Sequence, residues 1–580
     1  MVRAAAGLAV ALLFSAARAG ETYCNPLDID YKYNFEEKWR NISYRSGADP
    51  VIINHEGRYY LFETIGEGFW RSENLRDWEH VRPANWPEQE IVAPAALSAK
   101  GKLWLFPSTY DQRPIYVVND PAGPAPKLEV YNDKLPLLPG APGPWDPAIF
   151  YDEDKDAWFM YFGSSNLYPI WGIELDESKR LTYRGVARDL ISLQPETHGW
   201  ERFGQDHHFS TKPFMEGAWM TKHAGKYYLQ YAGPGTEYNV YANGVYVGDS
   251  ARGPFQYAPN NPVSYKPGGF VEGAGHGNTF ADKYGNFWNT GTPWIAVNYD
   301  FERRIAMFPA GFDREGLMYA NTRFGDFPQR VPNAKWENSE ELFAGWMLLS
   351  YRKPVVASST TYPFGAAAVT DENPRTYWLA GTNRAGETLT IDLANVCEVR
   401  AVQVNFTDYK SGLFGSGPEV YTQFVLSGSV DGEKWMTLAD LRNEKRDRPN
   451  AYLELEKPVR VRFVRYEHVH VGAPNLAISD IRVFGKGVGD APKTPGGLQA
   501  FRDGDARNAR LAWQDVPGAV GYNVRWGIAR DKLYSTYQVW ADVRSRLEVR
   551  ALNVGQKYFF AIESFNEVGV SKLSEVLEVP

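Results

Sequence analysis

Residues Asp49 to Glu63 read DPVIINHEGRYYLFE. An apolar run, a turn holding Gly57, and a second run rich in Tyr, Leu and Phe describe two strands joined by a hairpin. Four later stretches repeat the pattern: APAALSAKGKLWLFP from Ala93, DPAIFYDEDKDAWFMYFG from Asp146, EGAWMTKHAGKYYLQYAG from Glu216 and HGNTFADKYGNFWNTG from His276. The repeats recur every roughly 45–70 residues, the range of propeller-type units. Blades set around an axis bring equivalent positions together. Asp49, Asp146, Glu216 and His276 are therefore expected to converge near the channel mouth. Three carboxyl groups in one pocket point to hydrolysis of a glycosidic bond.

Composition narrows the alternatives. The 580 residues carry a formal net charge of -8. No basic stripe for nucleic acid is present, and no polybasic segment for an anionic membrane surface. The 19 Trp and 35 Tyr favour a packed core over binding when taken alone. Residues 1–19 read as a secretory signal: Arg3, an apolar stretch Ala4 to Ala16, then the small-x-small pattern Ala17-Arg18-Ala19. That stretch is too short to span a bilayer, so the expectation is an exported protein, periplasmic or secreted, without membrane insertion. Cys24 and Cys397 fall in different expected domains. Two free buried thiols are the favoured reading, with a disulfide as the alternative.

The repeats occupy 21–333. A long insertion, Thr182 to Phe214, interrupts the rhythm and contains His207 and His208; loops of that length are usually functional or mobile. A second β-rich unit spans 347–486 and suggests a jelly-roll sandwich. A Gly/Pro linker from Gly487 to Gly497 leads into a third unit, 494–580. Its alternating segments fit a seven-stranded sandwich, with Tyr558 in the setting of a tyrosine corner. The fold class expected is all-β, a five-bladed β-propeller followed by two β-sandwich domains.

Ala48-Asp49-Pro50, Trp145-Asp146-Pro147, Met215-Glu216-Gly217 and Gly275-His276-Gly277, each before its hairpin, resemble the five-bladed propeller of glycoside hydrolase family 43. Tyr23-Cys-Asn-Pro26 and Phe301-Glu-Arg-Arg304 resemble its branch of exo-acting β-galactosidases and α-L-arabinofuranosidases. The second domain resembles a discoidin, or coagulation-factor type C, domain, related to carbohydrate-binding module family 32. The third is similar to fibronectin type III. One departure, Val92-Ala-Pro-Ala-Ala96, lacks the Trp and Asp common there in the family and bears on sugar specificity.

The family resemblance implies single displacement with inversion on a terminal galactosyl or arabinofuranosyl residue of an oligo- or polysaccharide. Asp49 would be the ionised general base and Glu216 the protonated general acid. Asp146 would orient Glu216 and raise its pKa through its own negative charge. No cofactor is required for that chemistry. An isolated Asp-Pro is usually a turn; the shared place in the repeat favours chemistry. His276 has two open readings, a second-shell residue for a central calcium or a structural histidine on the axis. Trp70, Trp145, Tyr168 and Trp171 are candidates for stacking on sugar, with core packing the alternative. His207 and His208 are candidates for a pocket wall. Of Arg303 and Arg304, one is expected to face substrate and one to pair with a structural acid. Asp371, Asn373 and Thr376 fit a loop that holds a structural ion in discoidin-like folds. The third domain reads as a spacer. A catalytically inactive glycan-binding or adhesion propeller is the alternative to an enzyme. Oligomeric state is not legible.

Overall fold

The computed structural model describes residues 20–580 except 88–90, 109–112, 139–140, 142, 503 and 544–545. The signal-like segment 1–19 lies outside the described residues. Five four-stranded antiparallel sheets follow one another along the chain, each with its strands in sequence order. Their first strands are Val51–His55, Ala95–Ala99, Ala148–Asp152, Glu216–His223 and Thr279–Ala281. Each of these lies beside its counterpart in the next sheet, and the last lies beside the first. The five sheets are the blades of a propeller. A short strand, Thr22–Tyr23, pairs with Gln329–Arg330.

The residue leading each repeat turns the chain into the innermost strand. Asp49, Ala93, Asp146 and His276 are left-handed, with φ of 54°, 38°, 48° and 48°. Side-chain hydroxyls hold three of these turns. Thr292 Oγ1 accepts the Asp49 N–H at 3.1 Å, Thr64 Oγ1 that of Ala93 at 2.8 Å, and Ser108 Oγ that of Asp146 at 3.1 Å. Each hydroxyl follows the second strand of the preceding blade. The fourth blade differs: Gly217 takes the positive φ of 62°, and the ladder carries a register shift between Glu216 and Trp219.

The aromatic excess packs between blades. Trp104 meets Trp158 edge-on at 5.3 Å, and Tyr59 meets Phe280 at 6.5 Å. Burying each such ring contributes roughly 2–3 kcal/mol before chain entropy is counted. Cys24 and Cys397 are free and buried. Thr182–Ile191, expected as the start of the insertion, is instead the outer strand of the third blade, accommodated by two register shifts. The irregular segment proper is 192–215.

The second unit is an eight-stranded antiparallel arrangement from Met347–Leu348 to Ala477–Lys486. The third pairs a three-stranded sheet with a four-stranded one, beginning at Gln499–Arg502 and ending at Leu577–Val579. Both pack on the propeller through charged contacts. Arg45 pairs with Asp408 at 3.0 Å, and Arg323 with Glu563 at 2.5 Å. The Tyr558 hydroxyl accepts the Asn553 N–H at 3.0 Å, which fixes the chain entering that strand. Among the described residues, no helix is long and apolar enough to cross a membrane.

Candidate active site

Asp49, Asp146, Glu216, His276 and Arg303 line one cavity of about 630 Å3 at the propeller mouth. That is the size range of a small-ligand pocket. The Asp49 carboxyl is held by one hydrogen bond and two cationic neighbours. Its Oδ2 accepts from Thr64 Oγ1 at 2.6 Å, and its Oδ1 lies 3.1 Å from His276 Nδ1 and 3.6 Å from Arg303. Burial pushes the Asp49 carboxyl up, but His276, Arg303 and the Thr64 hydroxyl outweigh it and leave it below the ordinary 3.8. It is an ionised acceptor on the pocket lining.

Glu216 is held from two sides. The Tyr241 hydroxyl donates to Oε1 and Ser164 Oγ donates to Oε2 at 3.3 Å. Two glycines make room for this. A Cβ on Gly275 would come within 2.7 Å of the Tyr241 ring, and one on Gly217 within 3.0 Å of the His276 ring. Oxygens of Asp146 and Glu216 and a ring nitrogen of His276 lie within 4.8 Å of one another. Two carboxyls so close cannot both ionise cheaply. Burial, with the charges of Glu216 and Asp49, pushes Asp146 up to about 7 against the pull of His276 and Ser164. The sequence expectation put the raised carboxyl on Glu216; here Asp146 carries a strong upward displacement. Asp146 therefore keeps a proton up to about pH 7, within 4.8 Å of a Glu216 oxygen.

His276 Nδ1 is 4.0 Å from Glu216 Oε1. This leg and the 3.1 Å leg to Asp49 cap the separation of Asp49 Oδ1 from Glu216 Oε1 at their sum, about 7 Å. Inverting glycosidases hold their carboxyls about 6.5–9.5 Å apart and retaining ones about 5–5.5 Å, so the cap reaches only the short end of the inverting range. Burial lowers the His276 pKa, but Asp49, Asp146 and Glu216 together outweigh it and raise it. The buried Nδ1 makes no well-directed hydrogen bond. One imidazole and two carboxylates, with the Glu216 oxygens already engaged by Tyr241 and Ser164, do not match the six to eight oxygens calcium takes.

The binding candidates divide. Arg303 faces the pocket, while Arg304 is buried against Glu302 at 3.6 Å and Asn450 at 3.0 Å. Trp70 is 0% exposed, so its ring cannot meet a sugar. Trp145 is half-buried beneath Arg113 at 5.4 Å and is not on the pocket wall. Tyr168 is exposed outside it, and Trp171 packs against the cluster between the second and third blades. His207 is buried on Tyr265 and the Arg202 carbonyl, and His208 faces solvent. The aromatic walls are Phe203 and Phe214 from the segment 192–215, and Tyr299 and Phe301 opposite. These, with Tyr241, Thr64 and Ser164, escaped the sequence reading. The one available signal was a hydroxyl after the second strand of several repeats, at Thr64, Ser108, Ser164 and Thr292.

Residues 41–304 match the family model described as glycosyl hydrolases family 43, and 354–479 match the F5/8 type C domain. The propeller is a family 43 glycosyl hydrolase domain. The chain is 29% identical over 213 residues to xylosidase/arabinosidase 43A of Humicola insolens, covering 30% of this chain and 60% of the relative. It is 25% identical over 201 residues to a beta-xylosidase of Xylanibacter ruminicola, covering 30% of this chain and 57% of that one. The chain thus spans less than two thirds of these relatives. A solved glycoside hydrolase shares 20% identity at a TM-score of 0.46, over 75% of this chain and 97% of its own. The family 43 domain contributes all five acidic, basic and imidazole groups described above, and the F5/8 type C domain lies outside the pocket lining.

Proposed function

We propose that the chain is an exported, inverting exo-glycosidase that removes terminal α-L-arabinofuranosyl or β-galactosyl residues from plant-type glycans. The observation that carries this reading is the meeting of Asp49, Asp146 and Glu216 in one sugar-sized cavity. Asp49, ionised, takes a proton from water as that water attacks the anomeric carbon. Glu216 protonates the departing oxygen, and Asp146, protonated up to about pH 7 and within 4.8 Å of it, resupplies the proton. Arabinofuranose is the favoured sugar, because the Humicola insolens relative is named for arabinosidase as well as xylosidase. Proton NMR of fresh digests of arabinogalactan-type glycans and arabinoxylan identifies the sugar and its first-formed anomer together. Inverted arabinose is expected. A retained anomer contradicts the mechanism, and no released sugar favours the inactive glycan-binding alternative.

The third domain's division into three-stranded and four-stranded sheets supports a fibronectin type III-like reading. We also propose a structural calcium in the Asp371 loop of the F5/8 type C domain. Asp480 is 0% exposed with both carboxylate oxygens unpartnered, and Glu372 has one more. Burial, then the Glu372 and Asp371 charges, raise the Asp480 carboxyl well above its ordinary range. All these donors are oxygens, as calcium prefers. Calcium is expected to raise the Tm of the full chain by a few degrees and a chelator to reverse it. Asp480→Asn should abolish the shift; a wild-type Tm indifferent to calcium overturns the assignment.

A further inference from the structure

The segment 192–215 has two faces, and each meets something different. Short 3-10 turns, Gly199–Glu201 and Gln205–His207, are its only regular structure among the described residues. One face is gripped by the third domain. The Gly199 N–H donates to the Leu552 carbonyl at 2.8 Å, and the Val554 N–H to the Thr197 carbonyl at 2.8 Å. A Cβ on Gly199 would stand 2.5 Å from the Arg550 carbonyl oxygen, so glycine permits this backbone approach. Arg202 is buried and donates to Asn508 at 2.6 Å and to the Arg550 carbonyl at 2.5 Å. The Tyr537 hydroxyl donates to Asp206 at 2.8 Å, where Asp206 and His207 are left-handed with φ of 49° and 60°.

The other face is the catalytic pocket. Phe203, directly after Arg202, lines it, as do Thr211, Lys212 and Phe214. Phe203 and Phe209 both stand edge-on to Tyr238, at 5.0 Å and 5.5 Å. Consecutive residues thus tie the third domain to the sugar site.

We propose that the third domain is a clamp on the pocket wall rather than a spacer, with Arg202 and Tyr537 as positioning residues for substrate binding. The propeller holds part of the segment, Asn239 on Asp206 and Tyr265 on His207; without the third domain's bonds the rest would have to order when substrate arrives, and that entropy opposes binding. Held by the third domain, the wall is in place beforehand. Asp49 is held by Thr64, and Glu216, although it follows the segment directly, is held by Tyr241 and Ser164 rather than by the third domain, so the loss expected is in KM rather than kcat. The kinetic half of this inference rests on the glycosidase reading; the dynamic half does not.

Hydrogen exchange and steady-state kinetics on full-length Tyr537→Phe and Arg202→Ala test it. The first variant removes one hydroxyl and keeps the ring, which guards against misfolding. Amide exchange across 203–214 should accelerate by roughly tenfold while the strand Lys226–Gly233 is unmoved. KM on an oligosaccharide should rise by about five- to tenfold with kcat within about twofold. Unchanged exchange in both variants overturns the clamp, and so does faster exchange with an unmoved KM. If the wild-type chain turns over no glycoside, the glycosidase reading fails and exchange alone decides the clamp.

Discussion

Glu216→Gln lowers kcat/KM on a natural arabinoside by about 10²–10⁴-fold, the usual worth of a positioned general acid. The amide fits the same space. Its oxygen still accepts from Tyr241 and its position beside Ser164 is kept, so the fold is undisturbed. What disappears is the proton for the departing oxygen. An aryl glycoside with a good leaving group needs little protonation, and its turnover should fall far less. The pH profile carries the same signature. Asp146 is pushed up to about 7 by burial and by the charges of Glu216 and Asp49. A raised pKa means that the Asp146 proton, the supply for Glu216, is present below about pH 7 and is lost above it. Wild-type kcat/KM on the natural substrate therefore declines above about pH 7, and the variant's residual activity loses that limb. Equal losses on both substrate types would remove Glu216 from the acid's role.

Local pattern made the blades legible. Alternating apolar residues, a glycine turn and an aromatic second strand are dictated within about fifteen residues, and their repetition placed Asp49, Asp146, Glu216 and His276 at equivalent positions. Residues set by contacts beyond their own hairpin were harder to read. Trp70 lies on a third strand, where an aromatic can face either a neighbouring element or solvent, and it is buried with Asp30 and Lys32 of the N-terminal segment and His80 of its own blade. The surroundings of Glu216 were not legible from its neighbours along the chain. Met215 and Trp219 are neighbours in sequence, yet the Trp219 indole turns away to donate to the Thr279 carbonyl at 3.0 Å. The groups that act with burial on the Asp146 carboxyl are His276, Glu216, Asp49 and Ser164, gathered from other parts of the chain. The pocket walls come from the segment 192–215 and from residues 36–37 and 299–303, where no periodicity guides a reading.

Asp49→Asn gives the complementary result, a loss of about 10³–10⁴-fold in kcat that leaving-group quality does not relieve. Water must lose a proton as it attacks, whichever oxygen departs, and an amide cannot accept that proton. The Asn oxygen can still receive the Thr64 hydroxyl now bound to Asp49 at 2.6 Å, so the turn into the first blade is retained. The electrostatic consequence reaches His276. Asp49 is the first of the three carboxylates that hold the imidazolium against burial. Its removal lowers the His276 pKa, and the ring gives up its proton at a lower pH than in the wild type. NMR titration of His276 against pH reads this directly and is independent of turnover. The pair of variants then separates the two roles: Glu216→Gln discriminates between poor and good leaving groups, and Asp49→Asn does not. An Asp49→Asn protein that keeps fast turnover of the activated glycoside would show that another group receives the proton from water. The nearest alternative acceptor would then be Asp146, half-buried within 4.8 Å of both Glu216 and His276, and base and acid would have to be reassigned within that pair.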